Sequence, residues 1–277
     1  MNSFVNHQKK PFIVGVLRGE SAADDIATIL NSETEGADAF DVHLHWLPES
    51  ERTDEKLNRI FKSSSRPMLA LYYREQTPYN TPAASEERRI EGLLRALDCG
   101  AAGVDIQADF FDPRSKASLA GSELAFAKKA PAEVTLDPDA VEKQKELIGS
   151  IHKMGKEVLL SAHVQVQLSI EEGVSLALEM EKRGPDIVKI VSACGEEDYD
   201  HAIEMLATIN ELKKRLHTPF VYLGTGTAAR LTRIVGAMLG NCLVFANHRY
   251  EANSTPSQPL IRSVETILRE ASRDVRK

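Results

Sequence analysis

One lysine lies in the middle of a short apolar run, Pro185-Asp186-Ile187-Val188-Lys189-Ile190-Val191. The β-branched residues around Lys189 are typical of a buried parallel strand. Removal from water disfavours the ammonium form, and a neutral amine can attack a carbonyl carbon to form a Schiff base. The alternative is a structural lysine whose aliphatic stem lies on apolar surface while its head reaches water.

Three other residues of reactive type accompany this lysine. His163 follows the apolar run Val158–Ala162, Arg74 follows Leu71-Tyr72-Tyr73, and Arg233 lies in a helical pattern after Gly224-Thr225-Gly226-Thr227. Histidine transfers protons, and arginine binds a carboxylate through two parallel hydrogen bonds. Together these residue types suit an anionic carbonyl compound. The glycine-containing turn matches neither phosphate-binding fingerprint, so a nucleotide is not indicated.

The elements that must position these residues alternate along the whole chain. The predicted strands are Ile13–Leu17, Ala39–Leu44, Met68–Tyr73, Gly103–Gln107, Glu157–Ala162, Asp186–Val191, Phe220–Leu223 and Cys242–Ala246. The predicted helices are Ala22–Asn31, Glu51–Ser63, Glu86–Leu97, Pro138–Met154, Ser169–Arg183, Glu196–Leu216, Thr227–Leu239 and Ser257–Ser272, with Ser21 and Ser85 as N-caps.

Eight strand-helix units in about 250 residues predict an α/β fold, a (β/α)8 TIM barrel. An open, doubly wound sheet is the alternative. We expect one domain over residues 1–277, with an elaborated loop at about 108–137 that contains a weak helical pattern from Ser118 to Lys129.

The carboxyl ends of barrel strands form the active site, so the residues there should converge. Alternation along the second strand places Asp41, His43 and His45 on one face. Gln107 ends the fourth strand, and Ser254 and Gln258 follow the eighth.

Composition restricts the class of protein. The chain has 277 residues, 42% hydrophobic and 27% charged, with a net charge of −7. This balance argues against a nucleic-acid partner, and the lack of a long apolar run argues against a membrane span. Cys99, Cys194 and Cys242 are few and far apart, as expected for reduced thiols in the cytoplasm.

Several short motifs, in order, resemble the type I 3-dehydroquinate dehydratases. They are Asp41-Val42-His43, Leu71-Tyr72-Tyr73-Arg74, Ser161-Ala162-His163, Gly184-Pro185-Asp186-Ile187-Val188-Lys189, Leu231-Thr232-Arg233 and Ser254-Thr255-Pro256-Ser257-Gln258. The resemblance extends from Phe12 to about Leu268.

The resemblance implies a cofactor-free and metal-free lyase of the shikimate or quinate pathway, acting on a small cyclic keto acid, with a possible homodimer. Lys189 and His163 would be the catalytic residues. The substrate-binding residues would be Asp41, His43, Arg74, Gln107, Arg233, Ser254 and Gln258.

Two departures from the family pattern affect the residue that orients the catalytic histidine and the residues that bind the substrate hydroxyl groups. Gln107 stands where the family has a glutamate that orients the histidine, and Asp41-x-His43 stands where it has Glu-x-Arg. An amide supplies no negative charge, so we expect His163 to lack its carboxylate. The implied substrate is therefore 3-dehydroquinate or a related cyclic keto acid.

Two other functions fit parts of the pattern. Asp41-x-His43-x-His45, completed by His163 and Lys189, could bind zinc in a barrel hydrolase. A module that binds a keto acid without turnover is the second alternative.

Overall fold

The computed structural model describes residues 3–5, 11–74, 85–112, 114–252 and 254–272. Within these ranges the strands are β1 (Phe12–Leu17), β2 (Ala39–His43), β3 (Met68–Leu71), β4 (Gly103–Gln107), β5 (Glu157–His163), β6 (Ile187–Ser192), β7 (Phe220–Gly224) and β8 (Leu243–Ala246). The helices are α1 (Ala22–Thr34), α2 (Asp54–Phe61), α3 (Glu86–Asp98), α4 (Ser115–Ser118), α5 (Pro138–Lys153), α6 (Ile170–Glu181), α7 (Tyr199–Arg215), α8 (Arg230–Leu239) and α9 (Ile261–Ala271).

The strands form one parallel sheet in the order β7-β6-β5-β4-β3-β2-β1-β8. The seam between β7 and β8 is closed by Cys242, whose N–H donates to the Phe220 carbonyl at 2.9 Å. The Asn241 side chain adds to this seam by binding both the N–H and the carbonyl of Tyr222. The predicted eight-stranded barrel is confirmed, and the open sheet is not.

Alternating residues of most strands divide between two apolar clusters, whereas the inner positions of β4 are Gly103, Asp105 and Gln107. One cluster fills the barrel and includes Val14, Leu159 and Phe245. The other lies between the strands and the surrounding helices. Phe4 is fully buried in the inner cluster, and its N–H donates to Glu157 at the start of β5 at 2.7 Å. The end of the barrel where the strands begin is therefore covered by Phe4. The carboxyl ends of the strands, where the predicted site residues lie, form the opposite end.

The helix boundaries follow local capping chemistry. Ser21 accepts a hydrogen bond from the Asp24 N–H and Ser85 accepts one from the Arg88 N–H, so both predicted N-caps are confirmed. The predicted helix Glu51–Ser63 starts too early, because Thr53 caps α2 and a 3-10 turn, Glu49–Glu51, precedes it.

The segment 108–137 leaves the end of β4 and returns to α5. Its predicted helix Ser118–Lys129 is wrong: α4 ends at Ser118, and a 3-10 turn covers only Ala125–Lys129. Buried Arg183 anchors both ends of the segment, since its guanidinium donates to the carbonyls of Ala108 and Thr135, each at 2.7 Å. The segment is thus an extended β4–α5 loop that Arg183 holds at both ends.

No helix in the part of the chain that the structure describes is both long and apolar enough to cross a bilayer.

Candidate functional site

Lys189 lies on the inner face of β6, with 7% of its side chain exposed. Its Nζ is 2.8 Å from Oδ2 of Asp105 on β4, and Nζ is also 4.8 Å from the centroid of the Phe245 ring. Ser161 on β5 donates to the other oxygen of Asp105. Lys189 and Asp105 form a buried contact between opposite charge types, with 7% and 1% of their side chains exposed. The burial of Lys189 is as the sequence predicts, whereas its pairing with Asp105, near the end of the fourth predicted strand, was not predicted.

His163 ends β5 on the same face as Ser161, and Ser161 is the residue that pairs in register with Lys189. Residues two apart on a strand share a face and lie about 7 Å apart. His163 and Lys189 therefore reach the same opening of the barrel, as the sequence predicts.

A carboxylate from segment 108–137 holds this histidine. Oε2 of Glu133 lies 2.9 Å from Nδ1 of His163 and accepts the His163 backbone N–H at 2.8 Å. The Tyr73 hydroxyl donates to Oε1 of the same carboxylate. The expectation that His163 lacks a carboxylate is wrong, because the negative charge comes from a loop and not from the end of β4.

Gln107 is fully buried but has a different partner. Its Oε1 accepts a hydrogen bond from the guanidinium of Arg89, which lies on α3 and also donates to the Tyr72 carbonyl at 2.9 Å. This amide therefore joins a helix to the barrel wall, and no hydrogen bond joins it to His163 among the described residues.

Asp41 and His43 are neighbours on the inner face of β2, with Nε2 of His43 3.0 Å from Oδ2 of Asp41. Burial lowers the pKa of His43, and the charges of Arg18 and Lys189 lower it further against the opposing effect of Asp41. We therefore assign a neutral ring that donates from Nε2. Oδ1 of Asp41 and Nδ1 of His43 are then buried acceptors with no partner among the described residues.

Arg233 is a deeply buried cation, at 4% exposure. It donates to the hydroxyl of Ser257 at 3.1 Å and to the Gly224 carbonyl at 3.3 Å. Burial lowers its pKa to about 10, and the charge of Arg18 contributes to this shift. No acidic side chain within the described ranges forms an ion pair with it.

Arg18 follows β1 and was not selected from the sequence. Its guanidinium donates to Thr255 at 3.1 Å and to Oε1 of Gln258 at 3.4 Å, and it lies within electrostatic range of Asp41. Its sequence signal is its position directly after the predicted strand Ile13–Leu17, the same kind of position as that of Arg74 and His163.

Two predicted binding residues have protein partners. Arg74 forms a two-point contact with Asp109, at 2.7 and 3.0 Å. The Ser254 hydroxyl accepts the Glu251 N–H at 2.8 Å. The residues 75–84 that follow Arg74 lie outside the described ranges.

The Asp-x-His-x-His strand is not arranged as a metal centre in the described part of the chain, where no three His, Cys, Asp or Glu side chains group as ligands. Nδ1 of His45 accepts the Tyr73 N–H at 3.2 Å, and Nε2 of His43 is bound to Asp41. The hydrolase alternative is therefore disfavoured by the hydrogen bonds that these rings make.

A family model described as type I 3-dehydroquinase matches residues 13–274. The chain belongs to this family. A 3-dehydroquinate dehydratase from Clostridium kluyveri is 28% identical over 128 residues, 45% of this chain and 48% of that protein. A bifunctional 3-dehydroquinate dehydratase/shikimate dehydrogenase from Arabidopsis thaliana is 25% identical over 233 residues, 83% of this chain and 32% of that protein.

This member of the type I 3-dehydroquinase family spans less than half the length of those two relatives. Among solved structures, the 3-dehydroquinate dehydratase of Geobacillus kaustophilus superposes with a TM-score of 0.76 at 15% identity, over 99% of this chain and 97% of that one. This similarity shows that the two proteins share the barrel fold.

Proposed function

We propose that this type I 3-dehydroquinase is a Schiff-base-forming dehydratase, a carbon-oxygen lyase, acting on 3-dehydroquinate or a related cyclic keto acid. The observation that carries the proposal is the buried Lys189 at the barrel mouth, with a carboxylate on its Nζ and a histidine on the neighbouring strand. A nucleophilic lysine needs a route for its proton, and Asp105 at 2.8 Å supplies an acceptor.

Each step of the proposed reaction uses only the substrate, water and side chains of this protein. Nζ of Lys189 adds to the substrate ketone, and loss of one water gives a protonated iminium. This cation withdraws electrons from the adjacent carbon, so His163 can remove a proton there. The β-hydroxyl then leaves with that proton as a second water. Addition of water to the iminium releases the conjugated enone and restores the amine.

Arg233 and Arg18 are proposed to bind the substrate carboxylate. Both side chains point to the loop around Ser257 and Gln258, and Arg233 is a buried cation that an anion would neutralise. The unpartnered acceptors of Asp41 and His43 would receive substrate hydroxyl groups. Arg74 and Ser254 are bound to other protein groups, so we leave them out of the substrate contacts. Gln107 binds Arg89 through Oε1, and its Nε2, which has no partner within the described ranges, is proposed to donate to the substrate.

Borohydride trapping tests the proposal. The protein is incubated with 3-dehydroquinate or 3-dehydroshikimate, reduced with sodium borohydride, and analysed by intact and peptide mass. We expect one adduct, on Lys189, together with formation of the enone absorbance. Lys156, at the opposite end of the barrel where its Nζ donates to the Ala101 carbonyl, provides the matched control: Lys156→Met should keep the adduct and Lys189→Met should lose it.

The outcomes separate the alternatives. Saturable binding without adduct or enone would identify a keto-acid-binding module, and activity that depends on added zinc would identify the hydrolase. A cytoplasmic location and a homodimer complete the proposal, and the second is tested by light scattering. The three cysteines are free and buried, as a reducing compartment favours.

A further inference from the structure

We infer that Glu133 is the positioning residue that fixes the tautomer of His163 and balances its charge during proton transfer. The kinetic part of this inference rests on the proposed function, whereas the tautomer does not. Glu133 lies in the elaborated segment 108–137, to which the sequence assigned no role.

The two oxygens of Glu133 are both used at the site. Oε2 accepts the backbone N–H and the Nδ1–H of His163, at 2.8 and 2.9 Å, and Oε1 accepts the Tyr73 hydroxyl. The Tyr73 ring lies edge-on to the imidazole, 5.3 Å between centroids. A proton held on Nδ1 leaves the lone pair on Nε2, and a carboxylate at Nδ1 stabilises the imidazolium that forms when Nε2 takes a proton.

The backbone around Glu133 is built to present this side chain. Its φ is +55°, a left-handed conformation that few residues other than glycine adopt. The flanking residues hold it there: the Ala132 N–H donates to the Val164 carbonyl at 2.9 Å, and Val134 and Thr135 are fully buried. Such a conformation persists only where its surroundings determine it.

The guanidinium of Arg183 also holds segment 108–137 in place. It is 2% exposed, and besides binding the carbonyls of Ala108 and Thr135 it binds Oε1 of Gln144 on α5 at 2.6 Å. A buried cation with three acceptors fixes the segment to the end of β4. The carboxylate therefore reaches His163 from a rigid support and not from a moving loop.

The test compares Glu133→Gln with Glu123→Gln, which removes an exposed carboxylate from the same segment. Long-range ¹H–¹⁵N spectra of the free protein at about pH 8 should show His163 protonated on Nδ1 alone. In Glu133→Gln we expect mixed tautomers. We also expect kcat to fall about 30- to 1000-fold with little change in KM, and the acidic limb of the kcat profile to move to lower pH. Glu133→Asp should recover part of the loss, and Glu123→Gln should match the unmodified protein.

The results distinguish this role from a purely structural one. If Glu133 only stabilised the fold, Glu133→Gln would lower the melting temperature but leave the His163 tautomer and the pH profile unchanged, and that result would overturn the inference. A wild-type His163 protonated on Nε2 would overturn it without any variant. If no substrate is turned over, the proposed function fails while the tautomer measurement still decides the role of Glu133.

Discussion

The two sides of the barrel mouth differ in how the protein completes their buried polar groups. On the β4–β6 side, both oxygens of Asp105 accept hydrogen bonds and Glu133 holds His163, while Nε2 of Gln107 is the one site group without a partner in the described residues. On the β1–β2 side, Oδ1 of Asp41 and Nδ1 of His43 have no partner within the described ranges. Buried polar groups are rarely left unpaired unless a ligand completes them. In the proposed function, the first side therefore performs the chemistry and the second receives the substrate.

The largest expected effect is a difference in stability between variants of the two buried aspartates, Asp105 and Asp41. Asp105→Asn leaves the buried Lys189 cation without its charge partner and should lower the free energy of unfolding by about 3 kcal/mol. Asp41→Asn keeps an oxygen acceptor for His43 and removes a charge that forms no ion pair with a Lys or Arg of the described residues, so it should cost less, about 1 kcal/mol. Urea unfolding measures both values. Equal losses would break the comparison, and the double variant Asp105→Leu/Lys189→Met should recover most of the stability.

The next effect concerns Arg233, which is proposed to bind the substrate carboxylate. Arg233→Lys keeps the charge but removes the planar pair of donors, so we expect kcat/KM for the keto acid to fall about 10- to 100-fold, mainly through KM. Arg230→Lys is the matched control, since Arg230 lies three residues earlier and binds the exposed Tyr250 hydroxyl at 2.9 Å. Steady-state kinetics decide between them. A fall in kcat with constant KM would instead place Arg233 in the chemical step.

A smaller effect depends on pH. Asp25 accepts the N–H of Gly19, next to Arg18, at 2.9 Å, and burial raises its pKa from 3.8 to about 7. The folded protein therefore holds this proton more tightly than the unfolded chain does. The resulting stabilisation is complete below about pH 4 and is lost as the pH rises to about 7.

Asp25→Asn should remove this dependence and stabilise the protein by about 1 to 3 kcal/mol above pH 7. Unfolding midpoints between about pH 4.5 and 8 give the answer. Asp24→Asn, at the exposed neighbouring position, should retain the wild-type slope, and an unchanged slope in Asp25→Asn would show that this carboxyl is ionised in the folded state.

The smallest effect is expected at Gln107. Since Glu133 already provides the carboxylate and Gln107 is bound to Arg89, Gln107→Glu should change kcat less than about threefold. A larger increase, measured with 3-dehydroquinate, would mean that the end of β4 still limits the histidine.

The barrel and the position of Lys189 follow from sequence because they depend on local periodicity. β-branched runs, serine N-caps and strand ends have short-range causes, so Lys189, His163 and Asp41 were placed correctly. Arg18 follows β1 in the same way and is accessible to the same pattern. Asp105 stands near the end of β4 in the sequence, but its pairing with Lys189 joins residues 84 apart and has no local signal.

The partners of these residues are different, because they depend on contacts between distant segments. Glu133 comes from an irregular segment whose path is fixed by Arg183, 50 residues later, and no local pattern encodes that contact. Arg74 and Gln107 were assigned to substrate for the same reason: their partners Asp109 and Arg89 lie on elements that only the folded chain brings near.

The seam between β7 and β8 has a consequence for local opening. There, the amide side chain of Asn241 supplies contacts that main-chain groups make between the other strands, with the Tyr222 N–H held at 2.8 Å. Native-state hydrogen exchange should therefore find the amides of Tyr222 and Cys242 the least protected of the barrel wall. The ring of strands would begin to open at this point, opposite the β3–β4 pair.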